Sequence, residues 1–257
     1  MAAEKEMTTL LGAGDPPPVQ LVNDDSDVPI LLLCEHAGQA IPSKLGDLGI
    51  SRGVIDTHRG WDIGAEKLAL LVSEILSAPL VMQRYSRLVI DCNRPPLGEE
   101  SIPLVSDGIE IPLNRNCLGA DRQTRIDEIF LPLDHAIEAL LDRHSRSLLI
   151  SIHSFTPQFG GKSRPWHAGF LSRTDHATAG QLKRYIADKR PNLHLALNQP
   201  YQIHDSTDWF IPKHAEKRKL AHTLVEIRND QLHTQSQIDD WAELISGAIK
   251  SVLEQII

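Results

Sequence analysis

Two histidines mark where this chain of 257 residues could do chemistry. His36 and His153 stand at the ends of two apolar runs, Leu31-Leu-Leu-Cys34 and Leu148-Leu-Ile-Ser-Ile152. Such runs suit strands covered on both faces, and a residue at the end of one points into a crevice rather than into solvent. Two neutral imidazoles plus a carboxylate form a common protein donor set for a catalytic zinc, with a further position left for water. The candidate carboxylates are Asp62, Glu35 and Glu66. Alternation along a strand disfavours Glu35 beside His36 unless the chain turns there. Asp62 precedes a helical pattern and could equally serve as its N-cap.

A second group surrounds Ser86-Arg-Leu-Val-Ile-Asp-Cys-Asn-Arg94, where Arg87 and Arg94 bracket Asp91 and Asn93. A guanidinium offers planar, bidentate recognition of carboxylates. The group therefore suits an acidic substrate, or else Asp91 pairs with an arginine to fix a loop. Glu226 is a third feature, set between Val225 and Ile227 with Arg228 on its own side of the strand. A glutamate inside so apolar a strand is either ion-paired or a general base of raised pKa. His58 and His222 lie near these groups. Cys34 is close to His36 but still within the strand, too buried to be a thiolate nucleophile. Neither a G-x-S-x-G elbow nor a phosphate-binding glycine loop is present.

Elements able to position these residues can be read from periodicity. Strands are expected at Pro29–Cys34, Pro79–Met82, Ser86–Arg94, Ser147–His153, His167–Ser172 and Leu220–Arg228. Helices are expected from about Ala65 (Leu68, Leu71, Val72, Ile75, Leu76), over Arg122–Arg146, Ala177–Lys189 and Ile238–Ile257. Residues 1–26 read as a mobile or loosely wrapped leader, since Pro16-Pro17-Pro18 blocks regular structure. A single domain then spans 27–257. The stretches 95–117 and 191–213 are long irregular loops of the kind that form lids. Alternating strands and helices indicate an α/β fold, a largely parallel sheet with helices on both faces and ligands outside the carboxyl ends of its strands.

Bulk properties narrow the partners. The formal charge is −8, which argues against nucleic acid or a membrane surface, because phosphate binding needs a concentrated basic face. No apolar run approaches the ~20 residues that span a bilayer, and no secretory signal is visible. Cys34, Cys92 and Cys117 are an odd set without a C-x-x-C pair, as expected of buried thiols in a reducing compartment. The cytoplasm is the default location, and oligomeric state is not legible.

Five motifs in order carry a family resemblance: Cys34-Glu-His-Ala-Gly with Ile41-Pro42, Trp61-Asp-Ile-Gly-Ala65, Ser86 to Pro95, Ile152-His-Ser154 and Val225-Glu-Ile-Arg-Asn-Asp230. Over residues 29 to 232 the chain resembles the N-formylglutamate amidohydrolase family. The resemblance implies a phosphorylase/hydrolase-like fold, a three-layer αβα arrangement with a mixed, mostly parallel sheet, shared with zinc carboxypeptidases and aspartoacylase. It implies one zinc ion held by His36 and His153. The acidic ligand of that wider group falls on Gln39 here, and Asp62 is the preferred replacement. It further implies Glu226 as general base and a grip on the substrate carboxylate by Asp91, Asn93 and Arg94; Arg87 and Arg228, read from their positions, are expected as further substrate contacts. The expected reaction is hydrolysis of an N-acyl amino acid, N-formyl included, with an acidic side chain such as that of N-formylglutamate. Two alternatives are a non-catalytic metabolite-binding protein on the same fold and an amidohydrolase acting on a peptide or cell-wall amide.

Overall fold

The apolar runs form the middle of a seven-stranded sheet in the computed structural model, which describes residues 9–256. Its strands are β1 (Val19–Val22), β2 (Ile30–Cys34), β3 (Leu80–Gln83), β4 (Leu148–Phe155), β5 (Ala168–Leu171), β6 (Leu195–Leu197) and β7 (Ala221–Arg228). They lie in the order β1-β3-β2-β4-β7-β5-β6. The central four are mutually parallel. At one edge β1 runs antiparallel to β3; at the other β5 runs antiparallel to β7 and parallel to β6. The sheet is thus mixed and mostly parallel.

Both faces are covered because every central strand alternates between two apolar environments. Leu32, Ile150, Ile152, Val225 and Ile227 pack toward helices α1 (Ala65–Leu76), α3 (His176–Lys189) and α4 (Gln235–Ile256). Leu31, Leu33, Leu149 and Leu224 pack toward α2 (Leu131–Arg143) and the loops beside it. Helix α1 shows why these segments are helical: its buried residues are Ala65, Leu68, Ala69, Val72 and Ser73, one stripe at 3.6-residue spacing. Asp175 caps α3 by accepting a hydrogen bond from the Thr178 amide. Fully burying each Leu or Ile of these stripes is worth about 1.5–3 kcal/mol relative to leaving it in water. Among the described residues no helix is long and apolar enough to cross a membrane.

Several expectations change. The supposed leader supplies strand β1, and the Leu10 and Leu11 amides both donate to the Glu128 carboxylate at 2.7 Å. Residues 1–8 of it lie outside the described residues. Ser86–Arg94 is not a strand but a succession of turns. Leu88, Val89 and Ile90 are buried as a strand would bury them. Ser86 Oγ, however, accepts from the Leu88 amide and Asp91 Oδ1 from the Asn93 amide, so local side chains replace ladder partners. The helix expected over Arg122–Arg146 starts at Ala120, ends at Arg143 and contains a π turn at Ile126–Phe130. Pro132 follows that turn and has no N–H to give back to it. The irregular stretch 191–213 contains edge strand β6.

Candidate active site

The site lies at the carboxyl ends of the parallel strands, on the face of the sheet that α2 covers further down. On β4, Ser151 and His153 share the side of Leu149; on β7, Glu226 shares the side of Leu224. Parallel register sets Glu226 directly beside His153. After Cys34 the chain leaves β2 in a turn, so strand alternation no longer separates Glu35 from His36. Both enter the site. The Asp62 amide donates to the His36 carbonyl at 2.9 Å, which pins the start of the α1 segment against the end of β2. The N-cap position of α1 is Gly64, with no side-chain cap, so Asp62 is free of that role.

Three buried side chains converge. Donor atoms of His36, Asp62 and His153 all lie within 4.8 Å of one another. Asp62 Oδ2 is 2.8 Å from His153 Nδ1 and 3.5 Å from His36 Nδ1. The far nitrogen of each imidazole meets its own buried carboxylate. His36 Nε2 is 2.7 Å from Asp91 Oδ1, and His153 Nε2 is 3.0 Å from Glu35 Oε2. Ser151 Oγ also donates to Glu35 Oε2, at 2.6 Å. Carboxylates placed so hold the proton on Nε2 and leave the Nδ1 lone pairs facing Asp62, the arrangement by which proteins orient imidazole toward a metal ion. His36 Nδ1 is buried without a hydrogen-bond partner. The donor set therefore fits a divalent cation: two imidazoles, a carboxylate, and a buried polar atom lacking any other use. Glu66 is not part of the cluster.

Electrostatics follow from burial and pairing. Burial alone would raise the Asp62 and Asp91 carboxyls, but the neighbouring His36, His153 and Arg87 outweigh it and hold both well below the usual range. Burial would likewise lower His153, yet Glu35 and Asp62 together hold its pKa well above that of free imidazole. His58, 3.6 Å from Asp62, is driven by burial down to about 4. Glu226 differs from Asp62 and Asp91. Its Oε2 is buried without a partner, and burial pushes its carboxyl up to about 8.

The expected substrate-binding residues divide. Asp91 is held from two sides: it accepts from Arg87 at 2.8 and 3.2 Å and supports His36. Arg87 also reaches Asp62 at 3.3 Å, so it bridges the two acids beneath the site. Asn93 ties down the loop opposite, accepting from the Trp209 amide at 3.3 Å and donating to Asp208 at 3.4 Å. Arg94 donates to the Thr207 carbonyl and keeps one side open to the cavity. Arg228 is outside the cavity wall, held by Asp230 and by the Arg164 and Pro165 carbonyls. His222 belongs to the opposite end of β7, where its Nδ1 meets the Leu220 carbonyl.

Above these groups opens a cavity of about 930 Å³. Its floor is the His36–Asp62–His153 cluster with Glu226. Its mouth is made by three loops carrying Leu104 and Val105, Phe159, and Tyr201. Sequence reasoning passed over these mouth residues and the support given by Glu35. The Glu-His pair after an apolar strand was the available signal for Glu35, whereas nothing local marks Phe159 or Tyr201.

Comparison with known proteins agrees with this architecture. The sequence model of the N-formylglutamate amidohydrolase family matches residues 28–233. The structure of gene product Atu2144 from Agrobacterium tumefaciens is 32% identical, with a TM-score of 0.87 over 95% of this chain and 99% of that one. The N-formylglutamate amidohydrolase of Ralstonia eutropha JMP134 is 18% identical and superimposes with a TM-score of 0.64 over 94% of this chain and 98% of that one, a likeness of fold. No curated protein matches the chain.

Proposed function

The chain belongs to the N-formylglutamate amidohydrolase family, and from that premise we propose that it is a zinc-dependent hydrolase of the amide bond in N-acyl amino acids. The observation that carries this reading is the convergence of His36, Asp62 and His153, each imidazole backed by its own carboxylate, beside the unpartnered Glu226. His36 Nδ1, His153 Nδ1 and the Asp62 carboxylate would hold the zinc ion, and imidazole with carboxylate suits that metal. Bound there, the ion supplies Lewis acidity, which polarises an amide carbonyl and makes a water molecule more acidic.

The remaining work belongs to the chain. Glu226 takes a proton from the attacking water at Oε2 and returns it to the leaving amine nitrogen. With its carboxyl near 8, both protonation states are accessible close to neutral pH. Glu35 and Asp91 keep the imidazoles in the tautomer that turns Nδ1 inward. Arg87 holds Asp62 and Asp91 in place. Arg94, whose Nε is 3.7 Å from Glu100, is the guanidinium best able to turn to the α-carboxylate of an amino-acid substrate.

The test is metal analysis joined to amine release. Stoichiometric zinc, with hydrolysis of N-formyl or N-acetyl amino acids abolished by chelation and restored by zinc, is the expected result. Protein that binds no zinc when supplied with it would overturn the reading.

A further inference from the structure

The family's description suggests an acidic substrate, yet the cavity is poorly furnished for one. Carboxylates outnumber guanidiniums along its wall by seven to three. Each guanidinium already has a partner: Arg87 bridges Asp62 and Asp91, Arg59 pairs with Asp107 at 2.8 Å, and Arg94 holds the Thr207 carbonyl. Arg94 can meet one carboxylate. A second, on a substrate side chain, would face Glu99, Glu100, Asp107 and Asp208, with only Arg59, already paired to Asp107, left to receive it, and a charge so poorly compensated is costly.

The mouth offers something else. Leu104 and Val105 are each 53% exposed, Phe159 52% and Tyr201 39%, all on the cavity wall. Large apolar side chains gathered at a concave opening are a recurrent sign of a binding surface. Two of them are held rigid. The buried Arg164 lies over the Phe159 ring at 4.7 Å and the Tyr201 ring at 4.9 Å, and donates to the Tyr201 hydroxyl at 3.0 Å. Phe159 rides on a tight hairpin, Gln158–Phe159 against Lys162–Ser163, whose turn residues Gly160 and Gly161 both have positive φ, as a type I′ turn demands. Tyr201 reaches the mouth because β5 has a glycine where its loop crosses. A Cβ on Gly169 would stand 1.7 Å from the Gln199 carbonyl oxygen. The cavity is also near the upper end of the ~300–1,000 Å³ range of ligand pockets, ample for more than a formyl group and a short side chain.

We propose that Phe159, Tyr201, Leu104 and Val105 form a subsite for an apolar group flanking the scissile amide, so that the preferred substrate carries an aromatic or branched aliphatic group in place of a second carboxylate. This rests on the amidohydrolase reading and narrows it. The same chemistry can lie on either side of the amide, as the amino-acid side chain or as the acyl group.

Four compounds decide it with the zinc-loaded protein: N-formyl-phenylalanine, N-benzoylglycine, N-formylglycine and N-formylglutamate. One or both aromatic compounds should exceed N-formylglutamate in kcat/KM by at least about tenfold, as expected for filling an apolar pocket; the better of the two identifies the side. Equal or better hydrolysis of N-formylglutamate overturns the subsite. In the variant Phe159→Ala the ratio of kcat/KM between the preferred aromatic compound and N-formylglycine should fall toward one, mainly through KM. A merely structural role would lower both values together and leave the ratio, which also overturns the proposal. If none of the four is hydrolysed, the amidohydrolase reading fails separately. The subsite is then judged by equilibrium dialysis, where tighter binding of N-formylglutamate than of N-formyl-phenylalanine rejects it.

Discussion

The floor and the mouth of the cavity are built on opposite principles. On the floor, polar groups are buried at or beside the ends of central strands, and all but Glu226 are bonded to one another. At the mouth, apolar groups are exposed and carried on loops between strands. The floor fixes geometry through its paired hydrogen bonds, which is what catalysis needs from its supports. The mouth leaves room for substitution without disturbing those bonds. On the proposed function, the sheet carries the reaction and the loops the choice of substrate.

That contrast can be broken at several points. The largest effect is expected from Glu226→Gln: turnover lower by about 10²–10⁴-fold for every substrate, the range for a general acid–base, with zinc content by elemental analysis unchanged. Turnover near that of the parent would remove Glu226 from the floor. Asp91→Asn should weaken zinc binding by about 10–100-fold, the usual cost of losing the carboxylate behind an imidazole ligand, as read by competition with a chromogenic chelator. Acidity should act through His153, whose pKa is raised by Glu35 and Asp62. Below that raised pKa the ion must displace a proton, so zinc affinity falls about tenfold per pH unit as pH drops, and above it the dependence vanishes. Calorimetry in two buffers of different ionisation enthalpy reads the released proton. The smallest effect is expected from Arg228→Ala: KM within about twofold of the parent on any N-acyl amino acid, since its hydrogen bonds all go to Asp230 and two carbonyls outside the cavity. A large rise in KM would return Arg228 to the substrate side.

The floor was more legible in the sequence than the mouth, and the reason is physical. Burial in a central strand forces an unbroken apolar run, so His36, His153 and Glu226 stood out as polar residues where the run ended or was interrupted. Asp62 could be named only as one candidate among three, because its meeting with both imidazoles depends on how the α1 segment docks on β2. The support that Asp91 gives His36 went unseen for the same kind of reason: that partner is distant in the chain, and local spacing favours the nearby arginines. The run Leu88-Val-Ile90 imitated a strand because a turn packed into the core requires the same side chains. Strands β1 and β6 went unseen because edge strands are short and half-exposed, so no apolar run announces them. Phe159 and Tyr201 are exposed residues on loops, where sequence pattern carries no signal of what they face.

The parallel pairing of β4 with β7 has a consequence for how the protein comes to be active at all. Glu226 is neighbour to His153 only in the register observed. Sliding β7 by a single residue would turn Glu226 toward the layer of α1, α3 and α4 and bring an aliphatic side chain into the cavity. Completing the site therefore requires the pairing of two segments far apart along the chain. Activity is therefore expected to return on refolding together with that ladder and not before it.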